Sequence, residues 1–371
     1  MASEVDMKHA VLPAVRRLTE GLDLSREEAK AAFDTVIRDD LDSYYFFALT
    51  LAMHTKQETV PELLGLCDSL RDITPELPLS DPIPGNAIDV SGTGGDRIKT
   101  FNVSTAVSVV VASAGVSVAK QAFFAVTGFS GSADLLARLG VNVAAISAEP
   151  AGVVSLFKQT GLVAYHLLLH PLPGCRGLTS WVAKRQEIAL NFITPLHVVA
   201  FAYSPFPIKT RLYGVYDPRY LKPLAEVFLG LGYTRGMVVH GNAGLDEISV
   251  VGETEICEFE RNEVKTYTIG PGDLGLPTAS VSEIMATSAE ENTADFLRVI
   301  YGADSGPKTD MVLANAGAAL YLAGQATGLE DGVQAAAKLV KDGVAAGKLE
   351  EFVSACGDMT VLEKLKLDHL P

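Results

Sequence analysis

A proline-rich segment divides the sequence into two parts with different hydrophobic patterns. Four prolines lie within residues 74–85, where they remove backbone donors and stiffen the chain. Before this segment apolar residues recur at helical spacing, and after it short apolar runs alternate with helical patterns. A chain of 371 residues, 48% of them hydrophobic, can bury more than one core. The pattern predicts a helical domain over residues 1–78 and a second domain over residues 79–371.

The first part carries clear helix signals. Ser25 is followed three residues later by Glu28, which is the pattern of a capping box, and a helical run of apolar residues comes after it. Two more apolar stretches, residues 44–53 and 60–70, predict the rest of a small bundle. The first of them is more apolar than one buried face needs, and an exposed apolar patch is typical of an association surface. The apolar stretch 44–53 therefore predicts a homodimer formed through the helical domain.

The second part alternates between strand and helix patterns. Such alternation predicts an α/β domain with a mostly parallel central sheet and helices on its faces. The predicted strands are residues 87–91, 116–120, 214–216 and 236–240, and the predicted helices are residues 104–115, 218–231, 310–324 and 329–346.

A glycine-rich motif directly after the first predicted strand gives the sharpest functional signal. Its glycines permit positive φ and let backbone amides approach a ligand, and the helix that follows supplies free N–H groups suited to phosphate. A plain strand-to-helix turn would not need so many hydroxyl, amide and carboxyl side chains. The motif matches neither GxxxxGK[ST] nor GxGxxG. Its residues are Gly92, Thr93, Gly94, Gly95 and Asp96, followed by Thr100, Asn102, Ser104 and Thr105.

A second motif begins with Lys120, at the end of a predicted strand, and continues with small residues. Thr127, Gly128 and Ser132 have the size and polarity of a phosphate or pyrophosphate site. The same residues also suit a solvated loop that caps the next helix through Ser132 or Asp134, and the pattern leaves both open.

The third motif is the pair Asp246 and Glu247, which follows the predicted strand ending at His240. Adjacent carboxylates at the carboxyl end of a parallel strand can hold Mg²⁺, a cation that prefers a few carboxylates together with substrate phosphates. The alternative is a charged turn. The sequence shows no Ser-His-Asp arrangement, Cys-His pair or zinc signature.

Charge and cysteine usage restrict the partners. The chain has 30 basic and 45 acidic residues, a net charge of −15, which argues against binding to nucleic acid or an anionic membrane. Its four cysteines are scattered, which predicts reduced thiols in a cytoplasmic protein. The N-terminus lacks a secretory signal, and the most apolar run, residues 103–118, is too short and polar to span a bilayer.

Together the three motifs resemble the anthranilate phosphoribosyltransferase family, which shares its fold with the pyrimidine nucleoside phosphorylases. The likeness runs in the family's order from Leu18-Thr19-Glu20-Gly21 to the segment 315–324. It implies a class IV phosphoribosyltransferase fold, with the helical domain completed by helices within residues 165–195. It also implies a glycosyltransferase that moves 5-phosphoribosyl from phosphoribosyl pyrophosphate (PRPP) to anthranilate, releasing pyrophosphate, in tryptophan biosynthesis.

The resemblance also assigns roles to residues of this chain. Catalysis would depend on positioning and on Mg²⁺, without a strong general base. Metal sites would use Ser104, Asp246 and Glu247. PRPP would be held by Gly92, Thr93, Gly94, Gly95, Asp96, Thr100, Asn102, Ser104, Thr105, Lys120, Thr127, Gly128 and Ser132.

The acceptor region departs from the family pattern. Where the family has Lys-His-Gly-Asn-Arg, this chain has Lys120 to Phe124, so a small and a polar residue become bulky and apolar. The predicted acceptor pocket comprises Phe123, Phe124, Arg176, Lys184 and Arg185, with ordinary core packing as the alternative for the two phenylalanines. Two other functions remain open: a paralogue acting on a different aromatic or heterocyclic acceptor, and a non-catalytic ligand-binding protein.

Overall fold

The structure is a computed structural model that describes residues 4–40, 42–74, 76–95, 98–124, 130–166, 174–187, 193–261 and 263–371. The chain divides into two compact units. The helical unit comprises Met1–Pro75, His170–Pro205 and Glu226–Leu231, and the α/β unit comprises Glu76–Leu169, Phe206–Ala225 and Gly232–Pro371.

The described residues form the following elements. The α-helices are α1 (Glu4–Thr19), α2 (Arg26–Asp39), α3 (Tyr44–Lys56), α4 (Val60–Ile73), α5 (Val103–Ser113), α6 (Ser132–Arg138), α7 (Val143–Ala148), α8 (Pro150–Thr160), α9 (Arg176–Glu187), α10 (Pro195–Val199), α11 (Leu221–Gly230), α12 (Val281–Ile284), α13 (Ala289–Ile300), α14 (Pro307–Leu322), α15 (Leu329–Lys341), α16 (Val344–Cys356) and α17 (Met359–His369). The strands are β1 (Ile88–Gly92), β2 (Val118–Gln121), β3 (Leu162–Tyr165), β4 (Thr210–Gly214), β5 (Arg235–Gly241), β6 (Thr254–Glu260) and β7 (Glu263–Ile269). Within the described ranges, no helix combines the length and apolarity needed to cross a bilayer.

The helical unit is built on α1 to α4, with α9 and α10 contributed from later in the chain. The capping box predicted at the start of α2 is confirmed, because the Ser25 hydroxyl accepts the Glu28 N–H and the Glu28 carboxylate accepts the Ser25 N–H. Helix α9 packs closely on α2, since a Cβ at Gly177 would overlap the carbonyl of Val36. Trp181 of α9 stacks on Phe46 with ring centroids 5.1 Å apart.

The α/β unit contains a seven-stranded sheet in the order β3-β2-β1-β4-β5-β6-β7. Strands β1 to β5 are parallel, and β6 and β7 are antiparallel, which confirms the predicted mostly parallel sheet. From β1 the chain proceeds outward to β2 and β3, and then returns to β4 on the other side of β1. The boundary between β1 and β4 is therefore a topological switch point, where ligands of open α/β sheets bind at the carboxyl ends of the strands.

Two predicted elements are wrong in their bounds. The strand placed at residues 214–216 is β4, which ends at Gly214; its apolar pattern is interrupted by Arg211, a fully buried residue that pairs with Asp89 at 2.7 Å. The single helix predicted over residues 329–346 is two helices, because Gly343 between α15 and α16 has a φ of +74°. The sequence does not predict the hairpin of β6 and β7, since the apolar residues of the edge strand β7, Val264, Tyr267 and Ile269, do not all fall on one face.

Candidate active site at the carboxyl edge of the sheet

The glycine-rich motif forms the loop after β1, at the switch point. The Thr93 N–H donates to the carbonyl of Gly214 at 3.0 Å, and the Thr93 hydroxyl accepts the N–H of Tyr216 at 3.1 Å. These bonds tie the loop to the end of β4. Gly94 and Gly95 have φ values of +62° and +85°, a conformation that favours glycine and turns backbone amides toward the edge of the sheet. Asp96 lies outside the described residues.

The carboxylate motif lies directly against this loop. Asp246 Oδ2 accepts a 2.7 Å hydrogen bond from the Gly94 N–H, although the two residues are 152 positions apart. The approach depends on two glycines that lack side chains. A Cβ at Gly92 would overlap the Asp246 carboxylate, and a Cβ at Gly214 would overlap the Asp246 main chain. The first and third motifs are thus brought together by the ends of β1, β4 and β5.

Lys120 lies within electrostatic reach of the two carboxylates and is only 3% exposed. Its Nζ donates to the carbonyl of Val90 at 3.2 Å and to the Ser104 hydroxyl at 3.0 Å. Burial lowers the pKa of Lys120 to about 8, although the charges of nearby carboxylates, Asp246 and Glu247 among them, oppose this shift. The site therefore contains a buried amine that bonds to the start of α5 and interacts electrostatically with the carboxylate pair.

Glu247 is the most perturbed carboxyl group of the site. Its pKa is raised well above the usual range because burial disfavours the charged form and the Asp246 charge adds to this, while Lys120 acts in the opposite direction. Its Oε2 is inaccessible and accepts no hydrogen bond from the described residues. A buried carboxylate oxygen without a donor is costly, and a cation is the partner that would relieve that cost.

The start of α5 supplies groups suited to an anion. Ser104 and Thr105 lie in its first turn, where the helix dipole is positive. The N–H groups of Val103 and Thr105 donate to the carbonyls of Phe101 and Asn102, whereas the Ser104 N–H has no acceptor among the described residues. The Asn102 Oδ1 and Thr105 Oγ1 atoms are buried and make no hydrogen bond with the described residues. Thr100 is fixed just before the helix by an antiparallel bridge to Met285. The start of α5 is in direct contact with Lys120 through Ser104.

The donor set fits Mg²⁺ together with a phosphorylated ligand. In the described part of the chain, no group of three or more His, Cys, Asp or Glu residues is arranged to hold a metal. Asp246, Glu247 and the Ser104 hydroxyl offer hard oxygen ligands, but not a complete cage. Mg²⁺ binds proteins in this way, through one or two carboxylates with water and substrate phosphates in the remaining positions.

The second motif is only partly described. The Ser132 hydroxyl accepts the Phe123 N–H at 3.0 Å, and Asp134 Oδ2 accepts the Gly131 N–H at 2.8 Å at the start of α6. The capping interaction at α6 is therefore made by Asp134, and the role of Ser132 in PRPP binding stays a prediction. Thr127 and Gly128 lie outside the described residues.

An aromatic cluster follows β2 and β3 at the same edge of the sheet. The Phe123 ring lies on the His166 imidazole with centroids 4.1 Å apart, and the Phe124 ring is 6.3 Å from it. Phe124 is 42% exposed and Phe123 is half-buried, so the pair is not ordinary core packing. Burial lowers the pKa of His166 to about 4, so the imidazole is neutral at physiological pH. Sequence reasoning missed His166, because the short strand β3 before it was not predicted.

The basic residues predicted for the acceptor pocket lie in the helical unit. Arg176 begins α9, and Lys184 of the same helix donates to the carbonyl of Asp42 at 2.6 Å and lies 5.3 Å from the centre of the Tyr44 ring. The side chain of Arg185 lies outside the described residues. The contact of these residues with an acceptor stays a prediction.

Comparison with known proteins gives one consistent family. Residues 12–73 match the helical bundle domain of a glycosyl transferase family, and residues 84–346 match its a/b domain. An anthranilate phosphoribosyltransferase from Haloarcula marismortui is 36% identical over 92% of this chain and 99% of its own length. The enzyme of that name from Anaeromyxobacter dehalogenans is 38% identical over 92% and 97%.

Solved structures agree with the relatives. Anthranilate phosphoribosyltransferase from Thermus thermophilus has a TM-score of 0.81 and 29% identity, covering 92% of this chain and 98% of that one. The Saccharomyces cerevisiae protein, solved in complex with PRPP and Mg, has a TM-score of 0.79 and 21% identity, covering 95% and 98%. These comparisons confirm the predicted fold class and the resemblance. The chain belongs to the anthranilate phosphoribosyltransferase family, a family of glycosyl transferases.

Proposed function

We propose that this protein transfers the 5-phosphoribosyl group from PRPP to anthranilate, releases pyrophosphate, and thereby serves tryptophan biosynthesis. The observation that carries the proposal is the meeting of separate motifs at the switch point of the sheet. Gly94 bonds to Asp246, and Lys120 bonds to Ser104 beside the same carboxylates. Backbone amides, a buried amine and paired carboxylates are the groups that a magnesium pyrophosphate requires.

In the proposed reaction the bond between the ribose anomeric carbon and pyrophosphate breaks as a bond to the acceptor nitrogen forms. Asp246, Glu247 and Ser104 would hold Mg²⁺, and the charge of the cation would stabilise the departing pyrophosphate. The Ser104 N–H at the start of α5 is free to bind a phosphate oxygen, and Lys120 holds the Ser104 hydroxyl in place. The proton lost by the weakly basic aromatic amine passes to solvent, so the chain contributes positioning and electrostatic stabilisation.

Donor binding should depend on the metal. We expect PRPP to raise the thermal midpoint in Mg²⁺ and much less in EDTA, because the half-buried carboxyl groups of Asp246 and Glu247 oppose a phosphate unless a cation lies between them. Stabilisation should reach about 2.7 kcal/mol at a hundredfold excess over Kd. Ribose 5-phosphate, which lacks the pyrophosphate, is the control ligand and should give a shift independent of metal. Equal shifts for PRPP in Mg²⁺ and EDTA would contradict the roles given to Asp246 and Glu247.

A specific observation favours a second candidate function, transfer to another aromatic or heterocyclic acceptor. Phe123, Phe124 and the neutral His166 present aromatic surface but no positive charge. A buried carboxylate such as that of anthranilate is costly without a charged or hydrogen-bonding partner. Stacking of a flat ring on aromatic side chains would instead contribute about 0.5–1.5 kcal/mol.

We therefore expect detectable but poor turnover of anthranilate. The measurement is steady-state kinetics, following pyrophosphate release, with anthranilate against a panel of aromatic amines and nucleobases. A kcat/KM for anthranilate of about 10⁴–10⁸ M⁻¹s⁻¹, with no better acceptor in the panel, would show that the aromatic cluster is compatible with anthranilate. If the protein binds PRPP but releases no pyrophosphate with any acceptor in the panel, the result would favour the non-catalytic ligand-binding protein.

We also propose a homodimer formed through the helical unit. Large apolar side chains of that unit are exposed, among them Tyr44 at 72% and Leu51 at 50%, and such surface is typical of association. Light scattering that gives a monomer at micromolar concentration would refute it. A cytoplasmic location is proposed from the cysteines, since all four are free thiols.

A further inference from the structure

Asn292, in the first turn of α13, bonds to two of the motif segments at once. Its Oδ1 accepts the backbone N–H of Asn102 at 2.8 Å, and its Nδ2 donates to the Ser130 hydroxyl at 3.2 Å. Asn102 is the residue before α5, and Ser130 precedes α6. Asn292 is 1% exposed, so this link is made inside the α/β unit and not across its surface.

The chemistry of the two partners fixes the orientation of the amide. A backbone N–H can only donate, so the oxygen of Asn292 must face Asn102 and its nitrogen must face Ser130. A buried amide is costly unless its polar atoms are bonded, and both of these are. The side chain therefore has one favourable orientation, in which it connects segments that are 28 residues apart in sequence.

The start of α13 is itself held against the glycine-rich segment. The Ala286 N–H donates to the carbonyl of Lys99 at 3.0 Å, and Met285 pairs with Thr100. The Ser288 hydroxyl then caps α13 by accepting the Glu291 N–H at 3.0 Å. Residues 285–292 thus pair with residues 99 and 100 at one end and form the capped start of α13 at the other, where Asn292 lies.

We propose that Asn292 is a positioning residue that holds the N-terminus of α5 and the Ser130–Ser132 segment in the arrangement required for PRPP binding. The inference rests on the proposed function, since it assigns both segments to the same donor. A ligand that bonds to two segments binds more tightly when the free protein already holds them in the bound arrangement. In that case the binding free energy does not have to include the entropy cost of ordering the two segments. Loss of the link should therefore weaken donor binding more than acceptor binding.

The kinetic test uses Asn292→Ala, Ser130→Ala and the double variant. Asn292→Ala should raise the KM for PRPP by about tenfold or more, with the acceptor KM within about twofold of wild type. The double variant should be no worse than Asn292→Ala, because both changes break the same connection. The matched control is Thr293→Val on the same helix, whose buried hydroxyl donates to the carbonyl of Ala289 within α13, and it should leave both KM values unchanged.

Amide hydrogen exchange on the free protein tests the link without any substrate. Peptides covering residues 98–104 and 130–138 should exchange about tenfold faster in Asn292→Ala than in wild type or Thr293→Val. Unchanged exchange, or a PRPP KM within about twofold of wild type in a folded Asn292→Ala protein, would overturn the proposal. Failure of the wild-type protein to bind PRPP would instead refute the proposed function, and the exchange rates would still decide whether Asn292 couples the two segments.

Discussion

We expect Asp246→Asn to lower kcat/KM for PRPP by at least about a hundredfold while leaving the fold intact. Asparagine has the size of aspartate and can still accept the hydrogen bond that Gly94 donates to Asp246. It lacks the charge that offsets Lys120 and that would hold Mg²⁺ beside Glu247. The rate of pyrophosphate release measures the loss, and the thermal midpoint reports on the fold.

Glu260→Gln is the matched control for this change. Glu260 ends β6, pairs in register with Arg235 at the start of β5, and is exposed, so it lies at the opposite edge of the same sheet. Neutralising it should leave activity unaltered. If Asp246→Asn retained activity within about threefold of wild type, a barrier change below about 0.7 kcal/mol, the role of Asp246 would be wrong.

The second large effect is expected at Gly214. Gly214→Ala should abolish activity and lower the free energy of unfolding by about 2–3 kcal/mol, because overpacking at a site that cannot yield costs this much. Its Cβ would overlap the carbonyl group of Asp246, which is main chain and cannot rotate away. Gly92→Ala should reduce the free energy of unfolding less, since the closest contact of its Cβ would be the end of the Asp246 side chain, with the Asp246 carbonyl oxygen farther away at 3.3 Å. Chemical denaturation and pyrophosphate release measure both quantities.

Gly252→Ala separates this steric effect from the general effect of removing a glycine. No described heavy atom lies within 4 Å of a Cβ built on Gly252, so alanine should be tolerated or slightly stabilising. A Gly214→Ala protein as stable and active as Gly252→Ala would show that the loop carrying Asp246 can move away from β4 without cost.

The glycine-rich loop and the start of α5 could be predicted because their signal is local. Glycines and hydroxyl residues lie within a few positions of a strand and a helix, so the pattern itself indicates a phosphate site. The contact between Gly94 and Asp246 depends on β1 and β5 ending at the same edge. Only the resemblance assigned the two motifs to one site, and nothing in the sequence indicated this contact. Strand β4 was misplaced because Arg211 is polar in sequence yet fully buried beside Asp89.

Asn292 and His166 could not be found by reading the sequence. Asn292 occurs in an acidic helix start without a recognisable motif, and its partner Asn102 is 190 residues away. His166 follows a strand of four residues, too short to show alternation. The contacts of Asn292 and His166 are with residues distant in sequence, and no local sequence pattern indicates such contacts.

The strand order of the sheet has a consequence for how such an enzyme can evolve. Phe123 and His166 follow β2 and β3 on one side of β1, whereas the carboxylates follow β5 on the other side, beyond β4. Substitutions at the ends of β2 and β3 can therefore accumulate without disturbing the backbone contacts among Gly92, Gly214 and Asp246. After gene duplication, one copy can therefore keep the residues that bind the sugar donor while its acceptor residues change. Enzymes of this fold can then make different products from the same activated donor.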